Sequence, residues 1–380
     1  MNLRSLVLCS DEKILRVLRR VLGDLEIAME ECSDSDSAVR QLTRKRFEAV
    51  IVDCDDEELA AQVLACVRSA PCNKRSIAVA MIDGQKALRS AFALGAHFVL
   101  YKPISAERAR TSFRAAYALM KCERRRNIRI AMQIPVTLIG KMASGQKAPF
   151  TSDIGLGGMS LKLARRSRNS GPLRIRFTLP GTEHAVECGA QVAWEGSGSQ
   201  AGIRFVDVPA DQWNHLKEWL ARHSNEIAQD DPPTVCKLTD LSLGGCYLEM
   251  LAPFPVHTRV VLTMNIAKLE GHVEGRVRVM HPEHGMGVEF TRTTQQQRER
   301  LEKFIQALNS NKDARPELLV APEGLGDDDE AVPQPPSEEE IEDPLLDLFR
   351  RSSDLTPDSF QAELHQQRST TSTTAHSVSA

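Results

Sequence analysis

Apolar and polar positions divide the chain into three regions with different periods. Over residues 1–120, continuous apolar runs alternate with amphipathic stretches: LRSLVLCS, DEKILRVLRRVLGDL, EIAMEE, DSAVRQLTRKR, FEAVIVD, EELAAQVLACVRS, SIAVAMI, KALRSAFALGA, HFVLYK and a last helix from Ser105. Runs such as AVIVD and IAVAM have no polar face, so they predict strands buried on both sides under the helices that follow them. The expectation is a doubly wound parallel sheet. Its final helix runs through Glu107–Glu123 with Phe113, Ala116, Tyr117 and Met120 on one face, and it leads into a run of arginines.

After about residue 122 the period shortens. LRIRFTL, QVAWEG and GIRFVDV, then TRVVLTMNI, GRVRVM and GVEFTR, are short alternating runs between Gly and Pro turns, the pattern of small β-barrels or sandwiches. Each set closes with an amphipathic helix, striped by Trp213, Leu216, Trp219 and Leu220 in the first and by Leu301, Phe304, Ile305 and Leu308 in the second. Such stripes are core-facing. The two sets are copies of one unit. Asp153, Gly157 and Gly158 in DIGLGG recur as Asp240, Gly244 and Gly245 in DLSLGG, since 240 minus 153 and 245 minus 158 both give 87. Gly189, Val192 and Trp194 are answered by Gly275, Val277 and Val279, and Gly202, Ile203 and Phe205 by Gly287, Val288 and Phe290. The second copy lacks a counterpart of the first copy's leading strand IAMQIPVTLIG.

From Asn311 the pattern changes again. DDDE, VPQPP, SEEEIED and STTSTTAHSVSA are acidic, proline-bearing or Ser/Thr-rich, which predicts a disordered tail over 311–380. Within it, DPLLDLFRR places Leu345, Leu346, Leu348 and Phe349 after a helix-starting Pro344, either a short helix that docks in a partner groove or apolar residues incidental to a linker.

Composition adds limits. With 48 basic and 51 acidic residues the net charge is −3, so no global field favours a nucleic-acid polymer or an anionic membrane. Nine cysteines without a CxxC pair, no secretory-type leader and no apolar run near 20 residues predict a protein of the reducing cytoplasm that does not span a bilayer. No GxSxG, P-loop or HExxH is present, so the expectation is a non-catalytic protein without a cofactor. HPEHG, with His281, Glu283 and His284, reads as an exposed hairpin turn in preference to a metal site; Asp55–Glu58 reads as a solvated loop and first helical turn, and ARRSRNSG as a basic turn.

Two constellations carry chemistry. In the first region Asp11, Asp53 and Lys102, the last followed by Pro103, fall at C-terminal strand ends, where doubly wound sheets bind ligands. This resembles the receiver domain of bacterial response regulators. The resemblance implies Asp53 as phosphoacceptor, Asp11 as one of the acids that hold Mg²⁺, and Lys102 as the partner lysine. Ser10 stands in place of the other acid, and Ile82, with Asp83 beside it, in place of the hydroxyl residue. Only a weak Mg²⁺ site at Asp11 and Asp53 is expected, and the domain reads as a degenerate receiver.

The second constellation is Arg124, Arg125 and Arg129, an RRxxxR pattern, followed by DIGLGG. Planar guanidinium groups fork onto phosphates and stack on purines, a carboxylate accepts from a guanine edge, and glycines admit close backbone approach. A strand, MSLKL, follows the glycines, which rules out a dinucleotide-binding strand–turn–helix. Together these residues resemble the PilZ domain, the bacterial cyclic di-GMP receptor module. The resemblance covers 122–225 and a second copy at 234–310. It implies a nucleotide held by Arg124, Arg125, Arg129, Asp153, Gly155 and Gly158, with Gly155 replacing the family's serine. Asp240, Ser242 and Gly245 complete the motif in the second copy, which has no arginines before it and is expected to be the weaker site.

The expected architecture is multidomain α/β plus β: a receiver-like domain (1–120), two PilZ-like barrels each with a C-terminal helix (122–225 and 234–310), and a tail (311–380). The expected function is a cyclic di-GMP-binding signalling protein in which the ligand draws 121–129 onto the barrel. The alternatives are a phosphorelay regulator modified at Asp53, and an interaction scaffold that has lost nucleotide binding and engages a protein through its receiver-like domain or Leu345–Phe349.

Overall fold

The structure, a computed structural model, describes residues 3–70, 72–84, 87–139, 149–162, 173–195, 200–223, 232–266, 269–291, 295–310, 316–326, 343–352, 355 and 357–374. The basic turn at 164–171 and the acidic and proline-bearing stretch at 327–342 lie outside them.

The five apolar runs of the first region form strands β1 (Leu3–Leu8), β2 (Ile27–Cys32), β3 (Ala49–Asp53), β4 (Ile77–Ile82) and β5 (Phe98–Tyr101), all parallel, in the order β2-β1-β3-β4-β5. This is the doubly wound order shared by flavodoxin and CheY. Helices α1 (Glu12–Asp24), α2 (Ser35–Arg44), α3 (Glu57–Ser69), α4 (Leu88–Ala93) and α5 (Ala106–Asn127) complete it. Three of them begin on an aspartate N-cap: Asp11 accepts from Lys13 N, Asp34 from Ser37 N and Asp56 from Leu59 N. One sheet face packs Val7, Ile51, Val79 and Met81 with Leu18, Phe113 and Met120; the other packs Leu6, Val50 and Val52 with Leu42, Val63 and Leu64.

The chain then divides into two compact units, residues 124–229 and residues 2–123 together with 230–380. In the first, strands β6 (Arg129–Ile130), β7 (Val136–Ile139), β8 (Phe150–Gly155), β9 (Gly158–Lys162), β10 (Leu173–Thr178), β11 (Ala185–Glu195) and β12 (Gln200–Val206) make one sheet in the order β6-β8-β9-β12-β11-β10-β7. Helix α6 (Ala210–His223) buries Leu216, Trp219 and Leu220 against Ile154, Met159, Ile175 and Phe177, as its stripe predicts, and the Trp219 indole donates to Pro180 O at 2.8 Å.

The second repeat is a closed barrel, β13 (Thr234–Leu241), β14 (Gly245–Glu249), β17 (Gly285–Phe290), β16 (Leu269–His281), β15 (Thr258–Ile266) and β18 (Glu317–Leu325), with helix α7 (Gln295–Ser310). Leu301 and Phe304 of α7 are buried. The missing first strand is supplied from the other end of the repeat: β18 pairs antiparallel with β15 and β13, where β7 pairs with β10 and Pro135 bridges to Phe150 of β8 in the first repeat. The boundary at 310 and the assignment of 311–380 to a disordered tail are therefore corrected for three described segments. Leu318 and Val320 of β18 are fully buried in the barrel, and α8 (Pro344–Arg351) and α9 (Pro357–Thr374) are helices. ELLVAPEGL has enough apolar side chains to complete a barrel that has an open edge, and an open edge is costly.

The receiver-like domain and the second barrel belong to one unit. Glu123, near the end of α5, pairs with Arg75 at 3.0 Å and accepts from Leu325 N at 2.7 Å. Cys122 Sγ lies 3.2 Å from Pro322 O. Among the described residues no helix is long and apolar enough to cross a membrane.

Candidate ligand-binding site

In the first repeat the chain enters the barrel through the arginine motif. Arg124 and Arg125 occupy the last turn of α5, where cations complement the helix dipole, and both are half-buried. Two residues beyond the helix, β6 lays Arg129 beside Gly155 and Ile130 beside Ile154. This pairing brings the arginine to the acid-glycine loop. Arg129 Nη1 donates to Asp153 Oδ1 at 2.6 Å and lies 3.4 Å from Ser160 Oγ, and that hydroxyl donates to the same carboxylate oxygen at 3.1 Å.

Two local devices aim these groups. The β8–β9 register slips between Thr151 and Asp153, and a bulge of this kind redirects a side chain at a sheet edge. The glycines then permit contact distances that a side chain would forbid. A Cβ on Gly155 would lie 2.6 Å from Ile128 O, and one on Gly158 would overlap the Ile203 carbonyl oxygen. Gly157 is exposed with nothing within 4 Å of where its Cβ would stand. Gly155 is thus required by the approach of β6, which the substitution for the family's serine does not reveal in sequence.

The site extends laterally. Asp153 pairs with Ser160, Ser160 with Gly202 and Gly202 with Trp194, one residue on each of β8, β9, β12 and β11. Cross-strand partners share a sheet face. The Trp194 ring lies over Gly202, where a Cβ would overlap it, and stays 45% exposed. Ser160 and Trp194 were not among the expected site residues. The only sequence signals are that Ser160 lies two residues past the glycine pair in an alternating strand, and that a tryptophan stands where the second repeat has valine.

The second repeat reproduces the backbone and not the chemistry. The bulge recurs between Leu238 and Asp240, and the lateral row is Asp240, Tyr247, Gly287 and Val279. Ser242 turns back into its own loop: its hydroxyl donates to Gly245 O at 3.2 Å and accepts from Gly245 N at 3.0 Å. The loop is covered by α8, with Gly244 N donating to Asp343 Oδ2 at 3.1 Å. HPEHG is the β16–β17 turn, with Glu283 at φ 63°, but its first histidine is not exposed. His281 is 7% exposed, its Nδ1 shares a hydrogen bond with Tyr247 OH at 3.1 Å, its ring meets Phe360 at a tilt, and burial lowers its pKa to about 4.

At the receiver's strand ends, Lys102 Nζ lies 2.5 Å from Asp53 Oδ1 and 2.7 Å from Asp55 Oδ1. Burial works against the ammonium, but the two carboxylates outweigh it and raise the Lys102 pKa. Asp55 is an exposed loop residue just before α3, as expected, and also pairs with Lys102. Asp11, the expected Mg²⁺ acid, spends its carboxylate on the α1 N-cap, Ser10 is exposed and Ile82 is fully buried. Among the described residues no cluster of three His, Cys, Asp or Glu side chains is placed to hold a metal. Mg²⁺ is commonly held by one or two carboxylates with waters; of the two acids expected to hold it, Asp53 is paired with Lys102 and Asp11 caps α1.

Residues 123–222 and 224–307 each match the family model described as PilZ domain. No curated protein matches the chain. Similar solved structures include the receiver domain of a sensor histidine kinase from Pseudomonas aeruginosa PAO1 (19% identity, 32% of this chain and 98% of that one, TM-score 0.29) and the chemotaxis response regulator CheY4 of Vibrio cholerae (19%, 28% and 92%, TM-score 0.26). The inhibitor of motility MotI/DgrA of Bacillus subtilis is 21% identical over 25% of this chain and 48% of its own, with a TM-score of 0.22. The chain is a doubly wound domain followed by two segments that each match the PilZ domain family.

Proposed function

We propose that the first PilZ domain is a non-catalytic receptor for cyclic di-GMP. The observation that carries this reading is the Arg129–Asp153–Ser160 cluster beside the uncovered Gly157. The Arg129 guanidinium rests on the Asp153 carboxylate. A phosphate offers the same fork of donors a stronger, bidentate acceptor, and its arrival frees Asp153 to accept two N–H groups from a guanine edge. Arg124 and Arg125, one helical turn earlier, supply the further cations that a doubly charged dinucleotide requires. Trp194, exposed on the same row, gives a base a stacking surface. In calorimetry on the full chain, cyclic di-GMP is expected to bind, and Arg125→Ala with Arg129→Ala to abolish binding. Unchanged binding in the double variant overturns the reading.

A second reading, phosphoryl acceptance at Asp53, draws support from the short Lys102–Asp53 pair alone. Incubation with acetyl phosphate and Mg²⁺ separates the two. Incorporation lost in Asp53→Asn favours it, and no incorporation leaves the receiver-like domain as scaffold.

A further inference from the structure

We infer that the second PilZ domain is a helix-docking module, and that the segment Asp343–Phe349 is the ligand it carries in cis. The helix lies on the row that corresponds to the candidate nucleotide row of the first repeat. A Cβ on Gly244 would meet Leu346 Cδ1 at 2.5 Å and Asp343 Oδ2 at 2.8 Å, and one on Gly287 would meet the Phe349 ring at 2.6 Å. For both glycines the three nearest atoms all belong to α8 or to its N-cap Asp343, so at these two positions close approach of the tail, and not barrel packing, leaves no room for a side chain. Phe349 covers Gly287 as Trp194 covers Gly202; Val279 stands at the Trp194 position and leaves space for it.

The recognition is chemically specific. Asp343 Oδ1 caps α8 by accepting from Leu345 N and Leu346 N, while its Oδ2 accepts from Gly244 N of the barrel loop. One carboxylate therefore starts the helix and fixes it to the loop. A helix of eight residues is marginal in water, so α8 gains its order largely on the barrel. Behind the cap, Leu345, Leu348 and Phe349 are buried with Tyr247 and Val279 of the barrel and Phe360 and Leu364 of α9. The fitting ligand is an amphipathic helix with an acidic N-cap and the apolar spacing of DPLLDLF, laid into a groove floored by glycine backbone.

Two observations make this a docking contact and not part of the barrel. The barrel closes through β18, whose Leu318, Val320 and Leu325 lie in the main core, before the tail begins. The tail's apolar contacts form a separate cluster outside that core. Residues 326–342 tether the helix to its site, so docking in cis is favoured by high effective concentration.

The test uses full-length chains and a synthetic peptide of residues 342–374. Leu348→Asp should undock the tail while circular dichroism shows the barrel folded. The peptide is expected to bind this chain saturably, and roughly tenfold or more weakly to the wild-type chain, whose groove is occupied. Adding Gly287→Ala to the Leu348→Asp chain should remove peptide binding. Absence of binding to the folded Leu348→Asp chain, or equal binding with Gly287→Ala, overturns the inference. Should Leu348→Asp fail to fold, a protease site in the tether of the otherwise unaltered chain gives the same answer. After cleavage the tail should exchange with excess labelled peptide, and a tail that never exchanges is part of the fold.

Discussion

A serine at position 155 has no room. By the family motif, Gly155 is a lost hydroxyl contact, and restoring it should strengthen nucleotide binding. The backbone implies the reverse, since any Cβ there presses on Ile128 O and pushes β6, with Arg129, away from Asp153. Gly155→Ser is therefore expected to weaken cyclic di-GMP binding several-fold in calorimetry, roughly the loss of one hydrogen-bonded contact. Gly158→Ala should cost more in stability, because its Cβ overlaps a backbone carbonyl of the neighbouring strand β12 and not a movable side chain. A loss of about 1–3 kcal/mol is expected in denaturant unfolding of the first repeat. The arginines, Asp153 and the glycine pair stand out in sequence as candidates because each is a residue type with few uses in that pattern. Ser160 was not, because serine at an alternating position is ordinary, and its role depends on a register that a one-residue bulge resets.

Elements were readable where period and length agreed. The receiver's strands and helices, and both Trp/Leu or Leu/Phe helix stripes, fold as their patterns imply. β18 was missed because its acids and Pro322 look like the acidic tail around it, and its partners lie in β13 and β15. The docked helix α8 was seen as a candidate ligand, but nothing local marks its groove as the chain's own second repeat. That contact carries a pH dependence. His281 is buried beside Tyr247 OH, with which its Nδ1 shares a hydrogen bond and which accepts from Gln361 Nε2 of α9; burial first, and then the nearby His284, depress its pKa from 6.5 to about 4. The unfolded chain thus binds more protons than the folded one between these values, so stability is full above about pH 6.5 and falls as pH drops toward 4. The contribution at stake is on the order of 3 kcal/mol. Hydrogen exchange of α8 and α9 should accelerate over that window in the wild-type chain and much less in His281→Phe. Equal acceleration in both would remove His281 from the cause.

The least readable feature is which parts share a core. Order along the chain suggests three successive domains, yet the N-terminal domain and the second barrel form one unit with the first repeat inserted between them in sequence. No local pattern could link Glu123 to Leu325, about two hundred positions away. Glu123 is 3% exposed and satisfies both Arg75 and the Leu325 amide. Glu123→Ala leaves the buried Leu325 amide without its carboxylate acceptor, so it is expected to cost about 1–3 kcal/mol and to lower the unfolding midpoints of the N-terminal domain and second barrel together. The division of labour follows from the same arrangement: one repeat keeps an uncovered loop with an arginine on its carboxylate, and the other holds the chain's own tail. The most direct measurement is calorimetric titration of cyclic di-GMP into three full-length chains: wild type, Arg129→Ala with Asp153→Ala, and Asp240→Ala with Ser242→Ala. The account expects binding in the first and third with similar affinity and none in the second. Binding that survives in the second chain and disappears in the third would contradict it.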